Sequence, residues 1–281
     1  MRSFFIAAWL LIAPFVTFAQ EHIPVIEDYH NFLKSKTMVV LDGVALSEFN
    51  SVIEDVVKRA WTITPFEIIT SKEFEKLKDD PSLSFLLTST VTFRKDKTKA
   101  RYKFLSLLMG EPKAEVRTMP DLCSLPLSYL QVESDSYNYK LEAFLLFIQN
   151  HVKNVLENEK LIGENALKHY NRKEKGALAD KVLYLTKEDL AKDVSTEKAI
   201  AAVYPYEFKI VTREEIAEAI ASRDPKVVFL HKVGPEGTRI RARVYKLLVG
   251  AADSQLYYFS YLMMDNAKDD AFQLKDFKKL K

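Results

Sequence analysis

Basic side chains occur in two groups whose types and spacing could bind carboxylate or phosphate groups. The candidate binding residues are Arg94, Lys97, Arg101 and Lys103, which follow Phe93, and Arg239, Arg241 and Arg243 in the second half of the chain. Alternate residues of an extended segment share a face, so Arg239, Arg241 and Arg243 would form a row of guanidinium groups. The same pattern is also typical of solubilising charges on a hairpin and of charges that protect a sheet edge.

The residue types that carry most enzyme chemistry form no local motif. The chain has five histidines and one cysteine, and no two histidines have the His-x-x-x-His spacing of many zinc sites. The single thiol, Cys123, cannot form the intramolecular disulfide of a thioredoxin-like enzyme, so we expect a buried structural cysteine in a strand. The hydrolase motif Gly-x-Ser-x-Gly and the phosphate-loop motif Gly-x-x-x-x-Gly-Lys are also absent from the sequence. These observations predict neither a metal nor a cofactor, and they favour a binding protein over an enzyme.

Other polar residues are expected to have structural or solvated roles. Glu133 with Asp135, and Asp269 with Asp270, form carboxylate pairs that we interpret as surface groups rather than as an acid and a base. His151 is expected on the polar side of a long helix.

Residues 1–19 have the three parts of a cleavable secretory signal. Arg2 precedes an apolar run from Phe4 to Val16, and small or uncharged residues lead to a cleavage point after Ala19. The run is shorter than the about 20 apolar residues of a transmembrane helix, and Pro14 interrupts it. We therefore expect an exported protein, periplasmic or extracellular, with no membrane span after signal cleavage.

The charge balance is close to neutral. The full chain has 41 Lys and Arg residues against 39 Asp and Glu residues. Signal cleavage removes only Arg2 from this count, which leaves 40 basic against 39 acidic residues. Such a balance gives no general attraction to nucleic acid, so we do not expect nucleic-acid binding.

The two halves of the chain repeat the same short motifs. The pairs are Thr70-Ser71-Lys72-Glu73 and Thr212-Arg213-Glu214-Glu215, Asp80-Pro81 and Asp224-Pro225, Phe85-Leu86 and Phe229-Leu230, and Leu107-Leu108-Met109-Gly110 and Leu247-Leu248-Val249-Gly250. Each Thr-x-x-Glu is a capping box that begins a helix, and each Asp-Pro ends one. Because every shared feature has a structural explanation, an active site would be expected to break the repeat with polar residues unique to one half.

The repeat predicts an α/β (α+β) protein of two tandem βαβαβββα units, each a mixed sheet packed with helices. Residues 20–160 are assigned to the first unit, the polar segment 161–180 to a linker, and residues 181–281 to the second unit. The long helix predicted over 139–156 is apolar on more than one face, so we expect it to lie between the units.

Several segments carry a resemblance to known proteins. They are Phe18-Ala19-Gln20, Trp61 before Thr64-Pro65-Phe66-Glu67, Asp121-Leu122-Cys123-Ser124-Leu125-Pro126-Leu127, and Tyr139-Lys140-Leu141-Glu142. The chain resembles uncharacterised exported proteins of Bacteroidota, a resemblance that implies export but no particular activity. The order of its elements is also similar to that of TolB-type amino-terminal domains of the cell envelope, and this likeness concerns topology alone.

Two functions follow as expectations. The first is a non-enzymatic cell-envelope protein that binds a partner protein or an anionic polymer. The alternative is an envelope hydrolase whose active site lies in the cleft between the units, built from polar groups that meet only in the folded chain. Three or more buried polar side chains meeting in one place would favour the alternative.

Overall fold

The computed structural model describes residues 23–44, 47–93, 97–163, 166–172, 176–238 and 241–280, which form two five-stranded sheets packed with helices. The first sheet contains β1 (Lys36–Val40), β2 (Phe66–Ile69), β3 (Leu83–Thr92), β4 (Arg101–Met109) and β5 (Asp121–Tyr129). The second contains β6 (Val182–Thr186), β7 (Phe208–Val211), β8 (Val227–Val233), β9 (Arg243–Gly250) and β10 (Leu256–Met263). The α-helices are α1 (Ile26–Phe32), α2 (Glu48–Ala60), α3 (Ser71–Leu77), α4 (Leu141–Glu157), α5 (Ala166–His169), α6 (Glu197–Ala201), α7 (Arg213–Ala221) and α8 (Leu274–Lys279).

The two sheets have the same order of strands. The first runs β2-β1-β3-β4-β5 and the second runs β7-β6-β8-β9-β10. In each sheet the first three strands of the chain are parallel, and the last two are added by antiparallel pairing. The predicted fold class, a mixed α/β protein of two similar units, is confirmed. The origin of both units from one repeated sequence stays a prediction.

Both capping boxes form as their sequences predict. The hydroxyl of Thr70 accepts a hydrogen bond from the backbone N–H of Glu73 at 3.3 Å, and the Glu73 carboxylate accepts one from the N–H of Thr70 at 2.8 Å. Thr212 and Glu215 make the same two bonds at 3.3 and 2.8 Å. Because each box pairs N–H groups that the first helical turn leaves unbonded, it begins α3 and α7 directly after a strand.

Helix α4 is covered on almost every side. It shares one apolar cluster with residues of both sheets, including Leu107 of β4 and Leu247 of β9. The ring centroid of Phe144 lies 4.7 Å from that of His231 in β8, and the side-chain N–H of Gln149 donates to the carbonyl of Ala60 at the end of α2. The helix therefore contacts both units, which explains why its apolar residues extend beyond one face.

A shared carboxylate also joins the two units across α4. The Glu142 side chain is only 8% exposed and accepts from Arg59 Nε of α2 at 2.6 Å and from Arg223 Nη2 after α7 at 2.7 Å. Each carboxylate oxygen therefore has one charged donor, so the buried charge is compensated.

The segment predicted as a linker is packed where the structure describes it. The hydroxyl of Tyr170 lies 2.8 Å from His151 Nδ1 of α4, and the Asn171 amide bonds to both the backbone N–H and the carbonyl of Phe259 in β10. The expectation for His151 is wrong, because this side chain is 1% exposed and its ring stacks on that of Phe147. The division of the chain at residues 161–180 stays a prediction.

Some residues with predicted roles lie outside the described ranges. They include the predicted signal of residues 1–19 and two candidate binding residues, Arg94 and Arg239. Among the helices that the structure describes, none is long and apolar enough to cross a membrane.

Candidate functional site

The described members of the two basic groups differ in exposure. Lys97, Arg101 and Arg241 are exposed, whereas Lys103 and Arg243 are half-buried. Lys97 and Arg101 belong to the β3–β4 hairpin of the first unit, and Arg241 lies just before β9 of the second.

Arg243 joins the two basic groups. Its guanidinium carbon lies 3.7 Å from the ring centroid of Phe93 at the end of β3 and 5.4 Å from that of Tyr261 in β10. Its backbone N–H donates to the hydroxyl of Tyr102 at 2.6 Å. A cation over an aromatic face is attracted by the ring quadrupole, so Arg243 takes part in the contact between the units.

Aromatic rings extend this contact. The Tyr245 ring of β9 meets Tyr102 and Phe104 of β4 edge to face, with centroids 5.6 and 5.9 Å apart. Burial raises the pKa of Tyr245, so its hydroxyl stays protonated. These contacts hold the β3–β4 hairpin against the beginning of β9. We call the exposed residues Lys97, Arg101 and Arg241 the basic surface.

A second group of charged residues lies at the carboxyl ends of the parallel strands of the second sheet, where open α/β sheets commonly bind ligands. Glu188 and Asp189 follow β6, Arg213 follows β7 and begins α7, and Lys232 lies at the end of β8. The first unit adds Lys140 at the beginning of α4, whose charge interacts with those of Asp189, Arg213 and Lys232. We call Lys140, Glu188, Asp189, Arg213, Lys232 and their acidic partners Asp135, Glu236 and Asp270 the charged cluster.

Lys232 is the most strongly paired member of the charged cluster. Its side chain is 3% exposed, and its ammonium lies 2.9 Å from Asp270 Oδ1 and 3.7 Å from Asp189 Oδ1. Burial opposes the charge of Lys232, but Asp189 and Asp270 outweigh burial and raise the pKa of Lys232. A Cβ on Gly234 would lie 1.9 Å from Asp270 Oδ1, so this close packing requires glycine.

Arg213 is paired at the rim of the charged cluster. Its Nη1 lies 2.8 Å from Asp135 Oδ2, and its Nε lies 3.2 Å from Glu188 Oε1. The two carboxylates are 63% and 54% exposed. This part of the charged cluster is therefore open to solvent, whereas Lys232 and Asp270 lie inside it.

Lys140 has a different environment. Its side chain is 2% exposed, and its ammonium lies 4.8 Å from the ring centroid of Tyr139. Burial lowers the pKa of Lys140 to about 8, with Arg213 and Lys232 acting in the same direction and Asp189 and Glu188 opposing them. At neutral pH the amine is therefore uncharged in a far larger fraction of molecules than an ordinary lysine.

His231 has one unpartnered ring nitrogen. Its Nε2 lies 3.0 Å from the carbonyl of Pro126, so Nε2 carries the proton and donates it. Its Nδ1 is buried and has no hydrogen-bond partner in the part of the chain that the structure describes. Burial lowers the pKa of His231 well below its ordinary value, and the charge of Lys140 contributes. The imidazole is therefore neutral, with Nδ1 as an acceptor.

The sequence did not indicate the charged cluster. The expectation that Asp269 and Asp270 are solvated is wrong for Asp270, whose side chain is 6% exposed and bonded to Lys232. The residue pattern that could have shown one member is that Lys232 interrupts the otherwise apolar strand Val227–Val233. A charged residue there requires a buried partner.

Two other kinds of chemistry considered from the sequence are metal binding and thiol chemistry. Within the described ranges, no group of three or more His, Cys, Asp or Glu residues could hold a metal ion. Cys123 lies buried in β5, as predicted, and burial raises the pKa of its thiol.

The chain was also compared with known proteins. No protein-family model matches it, and neither a curated protein nor a solved structure does.

Proposed function

We propose that this protein is exported to the periplasm or the cell exterior, where it binds an anionic partner, either an envelope protein or a polymer. The basic surface is the binding face, and the protein acts without catalysis. The apolar run of residues 4–16 after Arg2 supports export.

The contact of Arg243 with Phe93 and Tyr102 carries this proposal. It joins the two strands that carry basic residues in the two units, although these strands are far apart in the sequence. Guanidinium groups suit carboxylate and phosphate oxygens because they donate in a planar fork. A partner with repeated negative charges could engage both hairpins together.

Binding to immobilised heparin and to immobilised poly-glutamate tests the proposal, with mature protein of residues 20–281. The triple variant Lys97→Glu, Arg101→Glu, Arg241→Glu is expected to elute at lower salt than the unchanged protein. Each exposed charge contributes about 0.5 kcal/mol to binding, so replacing all three is expected to weaken binding roughly tenfold.

A matched control separates local from global charge. The triple variant Lys72→Glu, Lys76→Glu, Lys198→Glu makes the same change in net charge at exposed positions outside the basic surface. It is expected to elute close to the unchanged protein. Equal losses in both triple variants, with both proteins folded by circular dichroism, would contradict a specific binding face.

The alternative, an envelope hydrolase with an active site between the units, has one observation in its favour. Lys232, Asp189 and Asp270 meet in one place with little-exposed side chains, which is the feature expected of the alternative, and Arg213 nearby bonds to Asp135 of the first unit. Turnover of an ester, peptide, glycan or phosphate substrate that is abolished by Lys140→Met would favour the hydrolase over the binding protein.

A further inference from the structure

Lys232 contacts one buried carboxylate and lies near a second. Its ammonium is 2.9 Å from Asp270 Oδ1 and 3.7 Å from Asp189 Oδ1, and the side chains of Lys232, Asp270 and Asp189 are 3%, 6% and 12% exposed. Lys246 forms another deeply buried ion pair, with Asp276, but has only that carboxylate within ion-pair distance among the described residues. Lys232 therefore differs from Lys246 in having two acidic groups beside one buried amine.

The second carboxylate oxygen of Asp270 is bound by the backbone. Its Oδ2 accepts the N–H of Glu236 at 2.5 Å. Glu236 has a φ of 48°, in the left-handed region that residues other than glycine rarely adopt. Such backbone strain is found where the chain must aim a group at a functional site. A backbone N–H on a carboxyl oxygen is also the arrangement that stabilises a negative charge on that oxygen when the carboxyl carbon is attacked.

Asp189 is placed to move a proton. Its Oδ2 accepts from the hydroxyl of Thr186 at 2.8 Å, which leaves Oδ1 towards Lys232. Asp189 and Asp270 raise the pKa of Lys232, so its amine is charged and must lose a proton before it can act as a nucleophile. Asp189 is a proton acceptor beside Lys232 that is not itself the group to be attacked. The neighbourhood thus holds a nucleophile, a carboxyl group, a donor for the developing oxyanion and a base.

We propose that Lys232 and Asp270 condense to an intramolecular isopeptide bond, with Asp189 as the proton carrier. The lone pair of the amine forms the bond to the carboxyl carbon, and the bond from that carbon to Oδ1 breaks. Asp189 transfers two protons in turn from the nitrogen to Oδ1, which leaves as water, and the third hydrogen stays on the amide nitrogen. Oδ2, bonded to the N–H of Glu236, carries the charge of the intermediate and becomes the amide oxygen. The step needs no oxidant, reductant or metal.

Two physical effects favour this condensation. Groups held together in a fixed orientation react as if at effective concentrations of about 10⁵ M or more. A buried ion pair also has a desolvation cost, which the neutral amide avoids. The bond would join β8 to the loop before α8 in a chain whose single cysteine allows no intramolecular disulfide. It is independent of the basic surface and of any partner bound there.

The mass of the intact protein tests the proposal. Folded mature protein of residues 20–281 is incubated at pH 7, denatured and measured by mass spectrometry, so that only covalent bonds remain. The expected mass is lower than that of the sequence by one water molecule. Protease digestion is then expected to give one branched peptide that contains both Lys232 and Asp270. The full sequence mass would overturn the proposal, and so would a loss of water that maps to other residues.

Variants test the part of each group, with circular dichroism to show that each protein is folded. Lys232→Arg keeps the positive charge but should have its full sequence mass, because a guanidinium is not a nucleophile at this pH. Asp189→Asn keeps the size of the side chain and should slow the condensation by about 100-fold, the usual contribution of a positioned base. The matched control is Asp269→Asn, whose carboxylate accepts from the N–H groups of Asp265 and Asn266 and which should still lose one water. Equal loss of water in Asp189→Asn and Asp269→Asn would overturn the part assigned to Asp189.

Discussion

Acidification is expected to destabilise the folded protein because His151 is buried in its uncharged form. Burial lowers the pKa of His151 from 6.5 to about 4. Between these two values the unfolded chain binds a proton that the folded chain does not, so the free energy of unfolding decreases as the pH falls. The shift of 2.5 units predicts a loss of about 2 kcal/mol between pH 7 and pH 5, and of about 3 kcal/mol by pH 4.

Urea unfolding at pH 7, 6, 5 and 4.5, followed by circular dichroism, measures this loss. The matched variant is His151→Gln, which offers an amide oxygen to the hydroxyl of Tyr170 but does not titrate. Carboxylates and His231 titrate in both proteins, so their contributions cancel when the two pH profiles are subtracted. The difference between the profiles is therefore the contribution of His151 alone.

The expected result is a less steep loss of stability with falling pH in the variant, even if its stability at pH 7 is lower. If both proteins lose the same free energy of unfolding between pH 7 and pH 4.5, His151 does not have a depressed pKa. In that case its burial against Phe147 and Tyr170 would not hold in solution.

Three further predictions concern the contacts between the units and the packing of the first sheet. Glu142→Gln should lower the free energy of unfolding by about 1 to 2 kcal/mol, because it removes a buried charge that two half-exposed arginines share. The control Glu54→Gln, in the exposed pair with Lys58, should lower it by less than about 0.5 kcal/mol. Cys123 should react with a thiol reagent only after unfolding, and rapid labelling of the folded protein would contradict its burial in β5. Brief proteolysis tests the assigned linker: first cuts within residues 161–180, giving fragments of near half size, would support it despite its contacts with α4 and β10, whereas first cuts inside α2 would contradict it.

Local patterns were sufficient to predict most of the secondary structure. Each capping box, at Thr70 and at Thr212, lies within four consecutive residues, so its hydrogen bonds can be predicted from the spacing. Alternation and apolar runs likewise indicated five strands in each unit. The width of the apolar surface of α4 indicated that both of its sides would be covered.

The charged cluster could not be predicted in the same way, because its members meet only when distant segments fold together. Lys140 begins α4 in the first unit, whereas Lys232 and Asp270 come from a strand and a loop of the second. The same reason explains the wrong expectation for His151. Its partner Tyr170 lies in a segment whose composition is that of a linker, and nothing in that composition indicates packing on α4.

The charged cluster breaks the symmetry of the two units, and this difference separates it from the structural features they share. When the repeated motifs are aligned, Thr212-Arg213 corresponds to Thr70-Ser71, and Phe229-Leu230 to Phe85-Leu86. His231 and Lys232 therefore occupy the positions of Leu87 and Thr88, and Arg213 occupies that of Ser71.

A strand position equivalent to Lys232 can thus be filled by an uncharged residue in the same strand order, so the fold itself does not require the buried ion pair. Replacing a buried ion pair by apolar residues is often neutral or stabilising. The ion pair at the carboxyl end of β8 is therefore not explained by stability alone. The capping boxes occur in both units because both need them to begin a helix. Arg213 and Lys232 have no charged counterpart at the equivalent positions of the first unit, so the strand order that the two units share does not require them.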